Sequence, residues 1–517
     1  MARFPIMLKK IIWSQYLFAF LLVTVTFSAA QTATPEQRTG RYLESVRRQP
    51  SLLLAFMREM PKGGDLHNHL TGAIYAESFI RWAAEDGLCV DTKTFQLSEG
   101  GCDEEGKAQA KAALEDPVLY RQMVDAYSMR DWSSARESGH DHFFDTFFKF
   151  DRATRDHVGD MLAEAAAQAA DDRLTYLETM FAPDQGRAIR LGSNLHLSGD
   201  FDWTKNLDDI RKDLLGSGLE EVVAAGKRNL DEFEARMRED LHCGKPNAEP
   251  GCGVTVRYLY QVLRGLTPQQ VFAQILTGFE MAQADPRVVG FNLVMPEDWH
   301  VPMRDFDLHM HMIDGLRKFY PRVHISLHAG ELAPGLVPDD GLRFHIRESV
   351  EIGHAERIGH GVAVMHERNP IGLLREMATR NVMAEICLTS NDVILNVRGQ
   401  EHPLPMYLKY GVPVALATDD EGVSRSDMTR EYIRAAETYD LSYSQLKRMA
   451  RTSLEHSFLP GASLWSDGQE FRRVAACAGD SPSQKASAGC GNFLAGSEKA
   501  RVQWKEEGEF DKFERQY

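Results

Sequence analysis

Beyond its first thirty residues the 517-residue chain has no run of 18 or more apolar residues, so nothing there is built to cross a bilayer as a helix. Cations are in short supply. The 59 Lys and Arg face 75 Asp and Glu, a formal charge of −16. That balance argues against nucleic acid or an acidic membrane surface as a partner, because phosphate binding needs clustered cations. No C-x-x-C occurs among the seven cysteines, which leaves neither a redox dithiol nor a zinc ribbon. No G-x-G-x-x-G or P-loop follows any candidate strand, so the usual dinucleotide and nucleotide cradles are missing. Internal repeats and low-complexity tracts are absent as well. What remains is an acidic globular chain, 43% hydrophobic and 26% charged, with ample material for a core.

The N-terminus reads as an address. Arg3, Lys9 and Lys10 precede a nearly continuous apolar run from Tyr16 to Phe27, and Ser28 and Ala30 occupy the −3 and −1 positions of a small-residue cleavage site before Gln31. This predicts export, with the mature chain starting near Ala30 in the periplasm or the medium. No Cys follows the run, which argues against a lipid anchor. Removing residues 1–30 leaves 56 cations against 75 acids, or −19. The cysteines fall into three sequence-local pairs, Cys89/Cys102, Cys243/Cys252 and Cys477/Cys490, each spanning a polar, Gly-containing stretch. Such staples persist outside a reducing cytosol. Cys387, in the apolar run VMAEICL, is expected to pack as a small hydrophobe.

After a helical extension over 31–60 and a turn at Pro61–Gly64, short Val/Ile/Leu-rich runs alternate with longer amphipathic stretches. Eight candidate strands result: Asp65–His69, Leu174–Glu178, Val254–Leu263, Val288–Leu293, His324–His328, Arg357–Gly359, Val382–Cys387 and Val412–Ala417. Strands separated by helices predict a parallel α/β sheet, and eight of them a (β/α)8 TIM-type barrel, since parallel pairing needs crossovers of that length. The barrel is expected over 61–465, with insertions at about 85–140 and 183–250, and a polar tail over 466–517. In this architecture chemistry gathers at the C-terminal strand ends.

Those ends are where the unusual residues lie. The first strand ends in GDLHNHLTG, with His67 and His69 on one side of the strand and able to share a metal ion. The fifth ends in HISLHAGE, offering His328 and Glu331; the sixth in RIGHG, offering His360; the eighth in ALATDDEG, offering Asp419 and Asp420. Three His and one carboxylate suit Zn2+, whose bound water becomes acidic near neutral pH, and a neighbouring carboxylic acid can move protons. A second H-x-H, His309 and His311, sits in a helical pattern, where i and i+2 diverge, and reads as packing or surface. Phe143, Phe147 and Phe150 fall at helical spacing and suit either packing against the barrel or an apolar lid.

The ordered motifs MPKGGDLHNHLTGA, SLHAGE, RIGHG and TDD resemble the signatures of the adenosine deaminase family in the amidohydrolase superfamily, across residues 60–423. The signal segment, the MPKGGDLH lead-in and HDHFFDTFFKF at His140–Phe150 most resemble the secreted, growth factor-type branch. The resemblance implies one zinc per chain held by His67, His69, His328 and Asp419. It implies Glu331 as the acid that protonates purine N1, and His360 and Asp419 as the groups that orient the attacking water. Asp420 would contact purine N7. The implied reaction converts adenosine, 2′-deoxyadenosine or both to inosine-type products and ammonia. Two positions depart from the family pattern: Thr71 stands where the family has a ribose-contacting Asp, and Met295 where it has a Gly whose N–H meets purine N3. The sugar and the far edge of the purine are therefore left open, and another 6-aminopurine nucleoside or a non-catalytic nucleoside-binding role are the alternatives. The expected partner is a small purine nucleoside. Oligomeric state stays open, with a homodimer among the options.

Overall fold

Each of the eight strand expectations corresponds to a barrel strand in the computed structural model, which describes residues 33–197, 202–203 and 205–517. The strands are β1 Gly63–His69, β2 Leu174–Phe181, β3 Thr255–Leu263, β4 Val288–Val294, β5 His324–Ala329, β6 Arg357–His360, β7 Met383–Ile386 and β8 Val414–Leu416. All neighbours pair in parallel, in sequence order from β1 to β8. Every residue of β2 and β4 is buried, as expected for strands covered on both faces. The ring closes between β8 and β1: His69 N donates to Asp419 O at 3.1 Å and Asp419 N to His67 O at 2.9 Å. Asp65 reinforces the seam by accepting from the Thr418 hydroxyl and, at 3.3 Å, from Thr418 N. The export signal and its cleavage site lie outside the described residues. Among those described, no helix is long and apolar enough to cross a membrane.

The additions to the barrel follow their sequences. The 31–60 stretch forms helices Pro35–Val46 and Pro50–Glu59, the second with Pro at its start, where a missing N–H costs nothing. Residues 85–140 hold a small three-stranded antiparallel sheet, Leu97–Ser98, Cys89–Asp91 and Lys107–Gln109, stapled by Cys89–Cys102. Two- and three-residue strands are too short to leave an alternating pattern in the sequence, so this sheet was not foreseen. Residues 183–250 are mainly helical, including Glu220–Asp240, and end at the Cys243–Cys252 staple. The third disulfide, Cys477–Cys490, holds the tail, and Cys387 is buried and free. His309 is buried packing, whereas the side chain of its neighbour His311 is 42% exposed.

The tail is more than an appendage. Its last helix, Glu498–Glu514, carries Glu506 under the start of β1, where Oε1 accepts from Gly63 N at 2.8 Å and Oε2 from the Thr175 hydroxyl at 3.2 Å. Burial pushes the Glu506 carboxyl up to about 8, against those two hydrogen bonds. A folded-state value above the unfolded one means the native chain holds a proton that the unfolded chain releases, so stability falls as pH rises from about 4.5 to about 8. We expect Glu506→Gln, which keeps the neutral shape, to melt above the parent at pH 9 and level with it at pH 4. Thermal melts across that range check the prediction.

Candidate active site

Four donor atoms meet at the C-terminal mouth of the barrel. His67 and His69 leave the end of β1, His328 lies near the end of β5, and Asp419 follows β8; one ligand atom from each lies within 4.8 Å of all the others. His67 Nε2 is 3.0 Å from His328 Nε2, and His69 Nε2 is 3.1 Å from the same nitrogen. Asp419 Oδ1 stands 3.5 Å from His67 Nε2 and 3.3 Å from His69 Nε2. Side chains that alternate along β1 explain the shared face of His67 and His69. Room for His67 comes from Gly359: a Cβ there would come within 2.4 Å of the imidazole Cε1.

The chemistry of these donors fits a divalent cation. His67 Nδ1 faces Glu385 Oε2 at 2.6 Å and His328 Nδ1 faces Asn292 Oδ1 at 2.9 Å. Each ring therefore keeps its proton on Nδ1 and turns a lone pair inward from Nε2. Two lone pairs 3.0 Å apart repel unless a cation lies between them. The spacing also matches the roughly 3.3 Å expected between ligands bound at about 2.0–2.1 Å in a tetrahedron. Electrostatics agree. Burial opposes charge on His67, yet Asp419 and Glu385 override it and hold its pKa up to about 10, so the space between the imidazoles calls for positive charge, either a second proton on His67 or a cation in its place. Burial would also protonate Asp419, but the His67 and His69 hydrogen bonds hold it well below the usual carboxylate range.

Beside the cage stand two carboxyls of the opposite kind. Burial, then Asp419 and Glu297, push Glu331 well above the usual range. Burial, then Asp419 and Glu331, do the same to Asp420. Both are thus held as neutral acids, able to donate a proton or a hydrogen bond. Asp420 Oδ1 is buried without a hydrogen-bond partner among the described residues, pressed against Gly72, where a Cβ would lie only 1.5 Å away. Glu331 is positioned through its backbone: Glu297 accepts from Gly330 N and Glu331 N, both at 2.9 Å. Glu297 itself is buried, but His345 and Arg264 keep it ionised, with its pKa lowered to about 2.

His360 ends β6 with its Nδ1 3.0 Å from Asn391 Nδ2 and 3.7 Å from Glu331 Oε1. Burial lowers its pKa to about 3, so the ring is neutral. His360 (φ +64°), Asp419 (φ +61°) and Met295 (φ +94°) all adopt left-handed backbone, a sparsely populated region that gathers at functional strand ends. Met295 turns its sulfur onto Gly265, accepting from Gly265 N at 3.3 Å, while its carbonyl accepts from the buried Arg264. Thr71 is half-buried in the turn after β1, beside Gly72. The helix Gly139–Phe150 packs against the barrel, the first of the two roles considered for it. Phe143 and Phe150 are buried in the core, and His140 Nε2 reaches Asp298 Oδ1 at 2.9 Å in the segment after β4.

Several supporting residues went unnoticed in the sequence: Glu385 and Asn292 behind the His67 and His328 imidazoles, Ser390 donating to Asp419 Oδ2 at 2.6 Å, and Arg264, whose guanidinium lies 3.9 Å from Glu297. Glu385 and Asn292 did leave a signal, each being the lone polar residue within an apolar strand, MAEI and VVGFNLV. Replacing Glu385 by Gln keeps an acceptor for His67 but removes its charge. We expect metal affinity to fall roughly 10- to 100-fold, the usual effect of altering such a partner, as read by chelator competition.

Residues 221–463 match the family description "Adenosine deaminase", a span that includes Met295, His328, Glu331, His360, Asp419 and Asp420. The chain is 26% identical to the adenine deaminase of Sinorhizobium medicae over 404 residues, 77% of this chain and 94% of that protein. It is 32% identical to the adenosine deaminase of Enterococcus faecalis over 138 residues, which cover 26% of this chain and 37% of that protein. Among solved structures, an amidohydrolase from Burkhoderia ambifaria with bound zinc matches at a TM-score of 0.52 and 16% identity, covering 87% of this chain and 94% of that one. The adenine deaminase of Arthrobacter aurescens matches at a TM-score of 0.50 and 17% identity, covering 77% and 94%. These two likenesses concern the fold. Residues 221–463 thus carry an adenosine deaminase domain, and the relatives, which are adenine and adenosine deaminases, agree with the donor set on a hydrolytic deaminase acting on carbon–nitrogen bonds.

Proposed function

We propose that this protein is an exported, zinc-dependent adenosine deaminase of the growth factor-type branch, releasing ammonia from C6 of adenosine, 2′-deoxyadenosine or both. The observation that carries the reading is the pairing, at one barrel mouth, of a three-His, one-Asp cage with two neutral carboxylic acids. One zinc ion, held by His67, His69, His328 and Asp419, supplies Lewis acidity that makes a water molecule nucleophilic near neutral pH. An aromatic ring resists attack until a ring nitrogen is protonated. Glu331, kept neutral by burial and by Asp419, can protonate N1 as the bond to C6 forms. Asp420, likewise neutral, can donate a hydrogen bond to N7 and so fix the base face-on to the cage. His360 orients the attacking oxygen. Three disulfides among the described residues support an oxidising destination for the exported chain.

A second reading is deamination of the free base. It is favoured by Thr71, which stands where the family places its ribose-binding Asp, and by the relative named adenine deaminase, aligned over 94% of its length. Ultraviolet spectra of adenosine, 2′-deoxyadenosine and adenine, incubated separately with the mature protein, decide between them. We expect the nucleosides to convert and Glu331→Ala to lose about 10²–10⁴-fold in rate, as for removal of a general acid. Conversion of adenine alone would establish the second reading. Silence with all three, with zinc bound, would overturn both.

Gly72→Ala tests the base contact. A methyl at that position displaces the Asp420 carboxyl. We expect kcat/KM to fall roughly 10- to 100-fold, the worth of one buried hydrogen bond left unmade, with metal content unchanged. Steady-state kinetics beside metal analysis check this.

A further inference from the structure

Asn391 and His402 belong neither to the cage nor to the acids around it, yet both are fully buried behind His360. Asn391 lies in the helix Leu388–Leu395 after β7, and His402 in the turn before the helix Leu404–Tyr410. A line of hydrogen bonds joins them. Leu404 N donates to His402 Nδ1 at 3.1 Å, His402 Nε2 lies 3.1 Å from Asn391 Oδ1, and Asn391 Nδ2 lies 3.0 Å from His360 Nδ1.

One member of this line has a polarity that cannot be reversed. A backbone N–H donates and never accepts, so His402 Nδ1 must accept. A neutral imidazole has one donor and one acceptor nitrogen, which puts the His402 proton on Nε2, donating to Asn391 Oδ1. The other arm of that amide is a donor only, so His360 Nδ1 must accept in turn. The single proton of neutral His360 is then left on Nε2, a buried nitrogen with no hydrogen-bond partner among the described residues. Turning the Asn391 amide round does not escape the argument: both nitrogens of His402 would then have to accept, leaving that ring no place for its proton. Burial keeps His402 neutral, its pKa lowered to about 4, with Arg434 acting in the same direction.

We propose that Asn391 and His402 are positioning residues that hold His360 in the Nε2–H tautomer, so that His360 donates a hydrogen bond at the reaction centre and does not act as a base. The inference rests on the deaminase reading for its catalytic meaning. It leaves Glu331 as the acid that moves protons, and gives His360 the task of steadying the attacking oxygen and the negative charge that develops on it. The His360 ring is placed for this, 4.8 Å from the ring of His67 and 5.2 Å from that of His328.

Asn391→Asp reverses the line at almost constant shape. A carboxylate accepts from His402 Nε2–H and from a proton on His360 Nδ1, which moves the His360 proton away from Nε2. Asn391→Ala removes the constraint without imposing the opposite one. In the zinc-loaded protein labelled with 15N-histidine, with the His360 resonances identified by their loss in His360→Asn, we expect protonation at Nε2 in the wild type and at Nδ1 in Asn391→Asp. We expect Asn391→Asp to lose about 10²–10⁴-fold in kcat, the scale set by a wrong histidine tautomer in a catalytic triad, and to be slower than Asn391→Ala. KM should stay within about threefold, since the interaction is made in the transition state. A purely structural role predicts the opposite order, because Asp keeps both hydrogen bonds and Ala leaves a cavity. Nδ1 protonation in the wild type, or an Asp variant at least as fast as the Ala variant, overturns the proposal. If Asn391→Asp does not fold, the wild-type spectrum alone decides. A wild type inactive on every 6-aminopurine would defeat the deaminase reading, while the spectrum would still judge the tautomer.

Discussion

The contact that closes the barrel also builds the cage. Eight parallel strands form a ring only if the last pairs with the first, and here that pairing falls on Asn68 and Asp419. The two backbone hydrogen bonds at the seam run between Asp419 and the flanking residues His67 and His69. Closure thus brings a carboxylate from one end of the sequence onto two imidazoles from the other, about 350 residues apart. An open sheet with the same strands would leave these ligands at opposite edges. Fold and chemistry therefore depend on one short stretch of backbone, strengthened by the Asp65–Thr418 hydrogen bonds just beneath it.

The interior carries an unusual load of charge for a protein core, and its arrangement sorts carboxyls into two kinds. Asp419, Glu385 and Glu297 are buried but held ionised by imidazoles or guanidinium groups. Arg357, also buried, joins Glu178 at 2.6 Å to Glu385 at 2.7 Å and ties β2 to β7 through β6. For Glu331 and Asp420, burial and the neighbouring carboxylates outweigh the nearby cations and hold both neutral. Pushing similar groups apart in this way is how one site supplies both ligand and acid at the same pH. Buried ion pairs seldom add net stability, because desolvation offsets attraction. Those that touch the cage, such as Glu385 behind His67, are better understood as organisation for chemistry.

Much of this was legible. The eight strands stood out because parallel strands buried on both faces read as apolar runs, and the helices between them as amphipathic stretches. His67, His69, His328, His360 and the Asp419–Asp420 pair were visible as polar residues at the ends of those runs, and the order of their motifs resembled one family. The small sheet around Cys89 left no period to read. The helix Gly139–Phe150 resisted a single role because it serves as core on one face and reaches the barrel mouth through His140.

By itself, the sequence determined which residue types occupy which strand ends, and with them the fold class, the candidate ligands and the candidate acid. Strand periodicity and local spacing are short-range properties, so a linear reading recovers them. Only the tertiary structure decided the state of each group. That Glu385 stands behind His67, that Asn292 fixes the proton of His328, and that a backbone amide at Leu404 sets the tautomer of His360 through two intervening side chains all depend on contacts between distant segments. Protonation and tautomer follow from burial and from the partner across a hydrogen bond. Neither is encoded in neighbouring letters; both arise once the strands have closed into a ring.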